Sequence, residues 1–282
     1  MAAMLKNILL WVLAFVITAG IAIYQRSTGP TYPVSGTEQI AGSEVKYKFF
    51  RSHGGESDHE VSLSSINKSL QPVLWYKRFK TRDEFTPVPM VYKDGNYTAK
   101  LPHQPPAGKL EYYVEVSNNG NIEKVTGQNI VIRFKGAVPM WVLIPHIIAM
   151  FGAMMLAAGT GMQYFTKDKK VLNLTRITML VLGIGGFILG PLMQEYAFGE
   201  LWTGFPFGHD LTDNKTLIAM IVWLFAYWRI SKHGDGKKAA GWALFAAVFM
   251  FLIYLIPHSM LGSELDYNEL DKNTKQEIIN QN

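Results

Sequence analysis

Three histidines of this chain are candidates for a functional site because of their chemistry and their positions in the sequence. The tetrapeptide Leu-Ile-Pro-His occurs twice, ending at His146 and at His258, each time at the edge of an apolar run long enough to cross a membrane. A third histidine, His209, stands beside Asp210 in a glycine-rich loop. Imidazole nitrogens bind copper, zinc and haem iron, so these residues could form one cofactor site. Whether they meet depends on the elements that carry them.

A methionine stripe adds to this possibility. Met150 and Met154 follow His146 at i+4 and i+8, which places one imidazole and two thioethers on one face of a helix. Imidazole with thioether suits copper, imidazole pairs hold the iron of haem b, and imidazole with carboxylate suits zinc. The predicted metal ligands are His146, His209, His258, Asp210 and Met150, and the three histidines are also the predicted cofactor ligands.

A second interpretation of the same residues needs no cofactor. Proline and histidine both favour helix ends, and methionine fills gaps in apolar bundles. The three histidines would then form only a hydrogen-bonded cap, and both interpretations remain open from the sequence.

Composition divides the 282-residue chain into two kinds of segment, with 49% hydrophobic and 17% charged residues overall. Residues 28–136 are polar, whereas residues 4–24 and 139–257 hold five apolar runs. The absence of cysteine excludes disulfides, thiolate metal sites and cysteine nucleophiles. No G-x-S-x-G, H-E-x-x-H or Walker pattern occurs, so we predict no catalytic residue and favour a non-enzymatic protein.

The apolar runs predict five membrane spans, and the loop charges predict their direction. The spans are expected at 4–24, 139–163, 174–194, 214–231 and 239–257. The loops after the second and fourth spans are rich in Lys and Arg and are therefore expected in the cytoplasm, together with the N-terminus. Because these basic residues set topology, nucleic acid is not an expected partner. The acidic loop 194–215, the acidic tail and both Pro-His pairs then face outside.

Alternating apolar and polar residues between about 40 and 135 predict about seven strands of a β-sandwich. The stretch "HGGESDHE", with His53, His59 and the later His103, could be a metal loop, although a segment rich in Gly, Ser and acids is more typical of a solvated loop. Within the third span, "GIGGFILG" indicates close helix packing through small residues.

Two stretches carry family resemblances. The segment "YTAKLPHQPPAGKLEYYVEV" resembles the strand, Pro/Gly corner and Tyr-rich strand of fibronectin type III and immunoglobulin-like β-sandwiches, which implies binding, spacing or assembly. The block "GPLMQEYAFGELWTGFPFGHDLTDNKT" with "IPHSMLGSELDY" resembles bacterial inner-membrane proteins with no assigned activity. That resemblance implies an inner-membrane protein with residues 28–136 and the tail in the periplasm.

The expected fold is a membrane α-helical bundle with an inserted, external all-β sandwich. It comprises an N-terminal anchor (1–27), the sandwich (28–136), a four-span bundle (137–258) and an acidic tail (259–282). The expected function is an accessory or interaction subunit of a cell-envelope complex that contacts the bilayer and, through the sandwich, other envelope or membrane proteins. The alternative is a membrane redox or metal-handling protein that holds haem b or copper, with zinc as a third candidate.

Overall fold

A computed structural model describes residues 2–40, 42–118, 121–166, 170–234, 236–257 and 262–281. The chain forms two compact units. The helical unit contains residues 1–30 and 138–262, and the β unit contains residues 31–137 together with the chain from Ser263 onward. The C-terminal segment therefore folds with the β unit, although the last membrane helix lies between them in sequence.

The helical unit is built from long apolar helices. Their bounds are α1 Ala2–Thr28, α2 Met140–Met162 with a 3₁₀ turn Gln163–Phe165, α3 Val171–Gly183, a π-helical segment Ile184–Leu189, α4 Gly190–Phe198, α5 Leu211–His233 and α6 Lys237–Tyr254. The segment from α3 to α4 is continuous, so it acts as one span. Among the described residues, four helical stretches are long and apolar enough to cross a membrane: Met4–Thr28, Met140–Phe165, Val171–Phe198 and Lys237–Tyr254.

Helix α5 is not among these four stretches, so five spans are not confirmed by length and composition. Helix α5 is as long as α2, with 23 residues, but four charged residues near its ends lower its mean hydropathy: Asp213, Lys215, Arg229 and Lys232. Its middle is nevertheless packed inside the unit, because Trp223 is fully buried against α6, where its indole N–H donates to the Met250 sulfur at 3.2 Å.

Small residues bring the helices close together. Because glycine has no Cβ, a neighbouring helix can approach its backbone closely. A Cβ on Gly159 would meet Trp11, and one on Gly161 would meet Ala247 at 2.8 Å. On α6, Ala243 and Ala246 are fully buried. Since lipid offers no hydrophobic advantage over another helix, close van der Waals contact is what holds such a bundle together.

The glycine-rich π-helical segment is packed between two helices. A Cβ on Gly185 would lie 2.9 Å from the Met150 sulfur of α2, and a Cβ on Gly186 would overlap the Thr216 methyl of α5. The prediction that "GIGGFILG" serves helix packing is confirmed at these two positions. A π-helical turn widens the helix locally, and such turns occur frequently at functional sites.

The β unit contains eleven strands among the described residues, more than the seven expected, because several are very short. They are β1 Val34–Ile40, β2 Ser43–Phe49, β3 Ser52–Gly54, β4 His59–Ser64, β5 Gln71–Arg78, β6 Thr86–Pro89, β7 Val91–Lys93, β8 Asn96–Leu101, β9 Lys109–Asn118, β10 Asn121–Lys124 and β11 Ile130–Lys135.

These strands form two sheets that enclose one apolar core. One sheet has the order β1-β2-β4-β8-β7 and the other β3-β11-β9-β5-β6, with β10 paired to β9. Alternate residues point inward, so Val61 and Leu63 of β4 face Tyr112 and Val114 of β9 in the same buried cluster. The expected β-sandwich is confirmed in this general form, and the predicted Pro/Gly corner links β8 in one sheet to β9 in the other.

The C-terminal segment ends in a helix, α7 Tyr267–Gln281, that belongs to the β unit. Asp266 starts this helix, because its carboxylate accepts the Asn268 N–H at 2.9 Å. The segment joins the corner between β8 and β9, where the Leu265 N–H donates to the Ala107 carbonyl at 3.2 Å.

We expect Gly186→Ala to destabilise the helical unit by about 1 to 3 kcal/mol, because the added methyl overlaps Thr216. Gly183→Ala is the matched control, since its added Cβ would meet only the Met220 methyl at 3.8 Å. Thermal unfolding in mild detergent compares the two. Equal stability of both variants would show that α5 does not pack on the π-helical segment.

Candidate functional site

His146 binds the π-helical segment of the neighbouring span. Its Nδ1 lies 3.0 Å from the Gly185 carbonyl oxygen, and because a carbonyl only accepts, Nδ1 carries the proton. The same oxygen accepts the Gly190 N–H that closes the π turn. A backbone carbonyl bound to one ring nitrogen fixes the imidazole and leaves Nε2 as the free position, which is how many metal-binding histidines are oriented. The same contact is also explained, without a metal, as a hydrogen bond that joins two helices.

The loop 199–210 is fastened to the start of α5 by carboxylates. Asp210 is the N-cap, with its carboxylate accepting the Thr212 N–H at 2.7 Å. Asp213 does not cap this helix but lies within its first turn, where its carboxylate accepts the N–H groups of Thr203 and Gly204 at 2.8 and 3.0 Å. Both carboxylates are buried and hold backbone geometry.

Lys215 is a buried cation that the sequence analysis did not select. Its side chain is 2% exposed, and its ammonium donates to the carbonyls of Ile256 and Pro257 at 2.8 and 3.4 Å. These carbonyls follow the C-cap residue of α6, Leu255, in the segment where the chain leaves the helix. The second Leu-Ile-Pro-His is thus held through its backbone by a lysine at the start of α5. The sequence did contain a signal for this role, because Lys215 is a charged residue at the start of the predicted span 214–231.

The structure tests the predicted ligand set only in part. His146 is half-buried, Met150 packs on Gly185, Asp210 caps α5 and His209 is exposed. His258 lies outside the described residues, so its approach to His146 stays a prediction. Within the described part of the chain, no group of three or more His, Asp or Glu side chains could hold a metal ion. The assignments of haem b, copper and zinc therefore gain no support from these residues.

In the β unit, two histidines of the predicted metal loop do meet. His53 Nε2 donates to the Ser57 carbonyl at 2.8 Å, which leaves its Nδ1 as an acceptor, and the His59 Nδ1 lies 3.2 Å from it. A neutral His59 that donates from Nδ1 satisfies this contact without a metal. His59 is only 7% exposed, and burial first, then the neighbouring His53, lowers its pKa to about 4.

The most connected polar cluster of the β unit surrounds Arg78. Its guanidinium donates to Asp83 through Nε at 2.6 Å and to both carboxylate oxygens of Asp271 in α7 at 2.8 and 2.9 Å. Bidentate contacts of this kind are the strongest form of ion pair between side chains. The bonds to Arg78 hold the pKa of Asp83 below its usual value, and the two carboxylates raise the pKa of Arg78.

An aromatic residue and a glutamate complete this contact, which we call the tail site. Tyr267 is 4% exposed, its ring lies 5.1 Å from the Arg78 guanidinium, and its hydroxyl donates to the Gln104 side-chain oxygen at 2.9 Å. Glu264 pairs with Lys80 at 2.7 Å and with Lys109. Burial alone would raise the pKa of Glu264, but these bonds outweigh it and lower the pKa. The tail site comprises Arg78, Lys80, Asp83, Gln104, Lys109, Glu264, Tyr267 and Asp271.

Comparison with known proteins assigns no family, since no protein-family model matches this chain and no curated protein is significantly similar to it.

We expect the β unit to lose about 2 kcal/mol of stability as the pH falls from about 7.5 to about 5, because the unfolded chain protonates His59 near its ordinary pKa of 6.5 and the folded chain does not until about 4. Hydrogen exchange of β4 in the full chain, corrected for intrinsic rates, measures this loss. His59→Gln should remove most of it, whereas the control His103→Gln should not. An unchanged pH dependence in His59→Gln would refute the assignment.

Proposed function

We propose that this chain is a five-span membrane protein that presents an immunoglobulin-like sandwich in the periplasm of a bacterial inner membrane, as an accessory or interaction subunit of an envelope complex. The observation that carries this proposal is the tail site, where the segment after the last membrane helix is bound to the sandwich by Arg78 and Tyr267. The ion pair of Arg78 with Asp271 and the buried Tyr267 fix this segment on the sandwich, which favours a role for the sandwich as a positioned binding module.

The tail site also bears on the number of spans. A folded domain lies on one side of a membrane, and the chain leaves the β unit at Ala137 and returns to it at Ser263. Between these points it must cross the membrane an even number of times. Three of the apolar stretches lie in this interval, namely α2, the α3–α4 helix and α6. With these three crossings an even number calls for a fourth, and we assign it to α5, which is the remaining long helix in this interval among the described residues.

Contacts inside the helical unit agree with this count. The Gln25 side chain donates to the Tyr254 carbonyl, so the ends of α1 and α6 lie together. Lys215 at the start of α5 reaches the Ile256 carbonyl at the end of α6, so these two helices are antiparallel. A 23-residue helix antiparallel to a spanning helix is long enough to cross the roughly 30 Å hydrocarbon core.

Strand order supports the immunoglobulin-like assignment. In one sheet β2, β4, β8 and β7 take the places of strands A, B, E and D, and in the other β11, β9, β5 and β6 take those of G, F, C and C′. β1 is an additional strand, and β3 pairs in parallel with β11. This topology is shared by many domains that bind other proteins, although fold alone does not define a partner.

An aromatic patch on the outer face of β5 and β9 is the surface that we propose for partner binding. Leu74 in β5 and Tyr112 in β9 face the core. The next residues, Trp75 and Tyr113, face outward, and their rings stack with centroids 6.3 Å apart. Phe85 joins Tyr113 edge-on at 5.0 Å. Aromatic residues on a partly exposed sheet face are enriched at protein interfaces, where they supply most of the binding energy.

The binding role is tested by photo-crosslinking in membranes of the source organism. A photoreactive amino acid at Lys77, on the same face as Trp75, should give a discrete crosslinked protein. The matched control is Ser62, which points outward from the opposite sheet. The same faint pattern from both positions would contradict a binding role for the aromatic patch.

We expect the two ends of α5 to lie on opposite sides of the membrane. The chain has no cysteine, so single-cysteine variants can be labelled with a membrane-impermeant maleimide without background. Ser62→Cys, Glu200→Cys and Asn273→Cys should label from the periplasmic side, and Ser231→Cys only after the membrane is opened. Labelling of Glu200→Cys and Ser231→Cys from the same side would show that α5 does not span.

We expect Arg78→Lys to loosen the C-terminal segment, because lysine keeps the charge but cannot bind Asp83 and Asp271 in bidentate geometry. Hydrogen exchange of residues 263–281 in the full chain should rise about tenfold, as expected for a loss near 1.4 kcal/mol. Arg82→Lys, at an exposed position in the loop that follows β5, is the control. Unchanged protection in Arg78→Lys would argue against the tail site as the main attachment.

A further inference from the structure

The end of the helical unit opposite the loop 199–210 combines cations with aromatic rings. At the end of α5, Trp228 is 47% exposed and is followed by Arg229 and Lys232. At the start of α6 lie Lys237 and Trp242. In the sequence, the segments 167–176 and 229–238 carry eight Lys and Arg residues against two Asp residues: Lys167, Lys169, Lys170, Arg176, Arg229, Lys232, Lys237 and Lys238, with Asp168 and Asp235.

Arg229 is held between two indole rings. Its guanidinium carbon lies 4.9 Å from the centre of the Trp242 ring and 5.5 Å from that of Trp228. Its Nε is buried, and within the described residues it has no hydrogen-bond partner. The guanidinium is therefore positioned by the two rings and not by a hydrogen bond from Nε to a described residue.

Two further lysines lie at the end of α5 and at the start of α6, and Lys232 shares the Trp228 ring with Arg229. Lys232 lies 4.0 Å from the centre of the Trp228 ring, and Lys237 lies 5.4 Å from that of Tyr164 at the end of α2. The ion pairs found among the described residues all belong to the β unit. These cations are therefore held in place by aromatic rings and are not neutralised by a described carboxylate.

We propose that Arg229, Lys232 and Lys237, framed by Trp228 and Trp242, bind the phosphate of an anionic phospholipid. A guanidinium presents paired donors that match two phosphate oxygens, and the lysines add unspecific attraction. Tryptophan is favoured at the level of lipid headgroups, and basic pockets between membrane helices recognise anionic headgroups.

The surroundings of the site favour a lipid over free phosphate. Next to Trp228 and Trp242, the side chains of Leu224, Phe225 and Phe245 are 49%, 44% and 46% exposed. Phe225 also contacts the Trp242 ring edge-on at 5.5 Å. An acyl chain attached to the bound phosphate would lie along these rings, whereas inorganic phosphate would make no use of them. The inference requires only that the helical unit lies in a membrane, and it is independent of the sandwich's partner.

Native mass spectrometry of the purified full chain tests the proposal directly. Delipidated protein in mild detergent is titrated with phosphatidylglycerol, with phosphatidylcholine, or with inorganic phosphate. We expect phosphatidylglycerol to bind at least about tenfold more tightly than phosphatidylcholine, and inorganic phosphate not to displace it. Arg229→Lys should weaken phosphatidylglycerol binding about fivefold or more, because the charge remains but the paired donors are lost. Lys6→Gln removes a cation at the start of α1 and should change binding less than twofold.

Several results would overturn the proposal. Equal binding by wild type and Arg229→Lys would mean that only net charge attracts the lipid. Equal binding of both lipids would mean that the headgroup charge is not recognised, and displacement by inorganic phosphate would mean that the acyl chains play no part. Lys232→Gln, an exposed position, gives a second variant should Arg229→Lys unfold, and it should weaken binding two- to threefold. No effect of Lys232→Gln would also count against the site.

Discussion

The guanidinium of Arg78 donates to two carboxylates that are far apart in the chain, Asp83 five residues away and Asp271 193 residues away. Charge-assisted, bidentate bonds of this kind fix direction as well as distance. With the buried ring of Tyr267 against the same guanidinium, they bind the C-terminal segment to the sandwich. Because the membrane helices lie between these two parts of the chain, this contact constrains how the chain can pass through the membrane between them.

The contact constrains the helices through connectivity. A chain that leaves a domain, crosses a membrane and returns to the same domain needs an even number of crossings, and this constraint is the reason for our proposal that α5 spans as well. The polar residues that lower its hydropathy each have a structural use: Asp213 holds the loop 199–210, Lys215 holds the end of α6, and Arg229 lies between two tryptophans. Polar groups at the ends of a span cost less than at its centre, where Trp223 is buried.

Sequence periodicity predicted most of the fold, because spans and sandwich strands repeat with their own period over many residues. The glycines of "GIGGFILG" also allowed the close helix contact to be predicted. The π-helical segment could not be predicted, since its carbonyl at Gly185 is satisfied by His146 from another helix.

The tail site was missed because its acidic residues resembled a solvated tail, and their partners, Arg78, Lys80 and Lys109, lie more than 150 residues earlier. Long-range pairing of single charges leaves no periodic signal. The predicted approach of His258 to His146 stays a prediction, because His258 lies outside the described residues.

The contact between Asp271 and Arg78 is tested most directly by a distance measurement in a lipid bilayer. Since the chain has no cysteine, Arg82→Cys and Lys272→Cys can be combined in the full-length protein and spin-labelled at those two exposed positions alone. Double electron–electron resonance should give a single narrow distance distribution, as expected for a helix α7 fixed on the sandwich. A broad distribution that extends to long distances would mean that the C-terminal segment is free in the membrane-bound protein, and the required return of the chain to the sandwich would be lost.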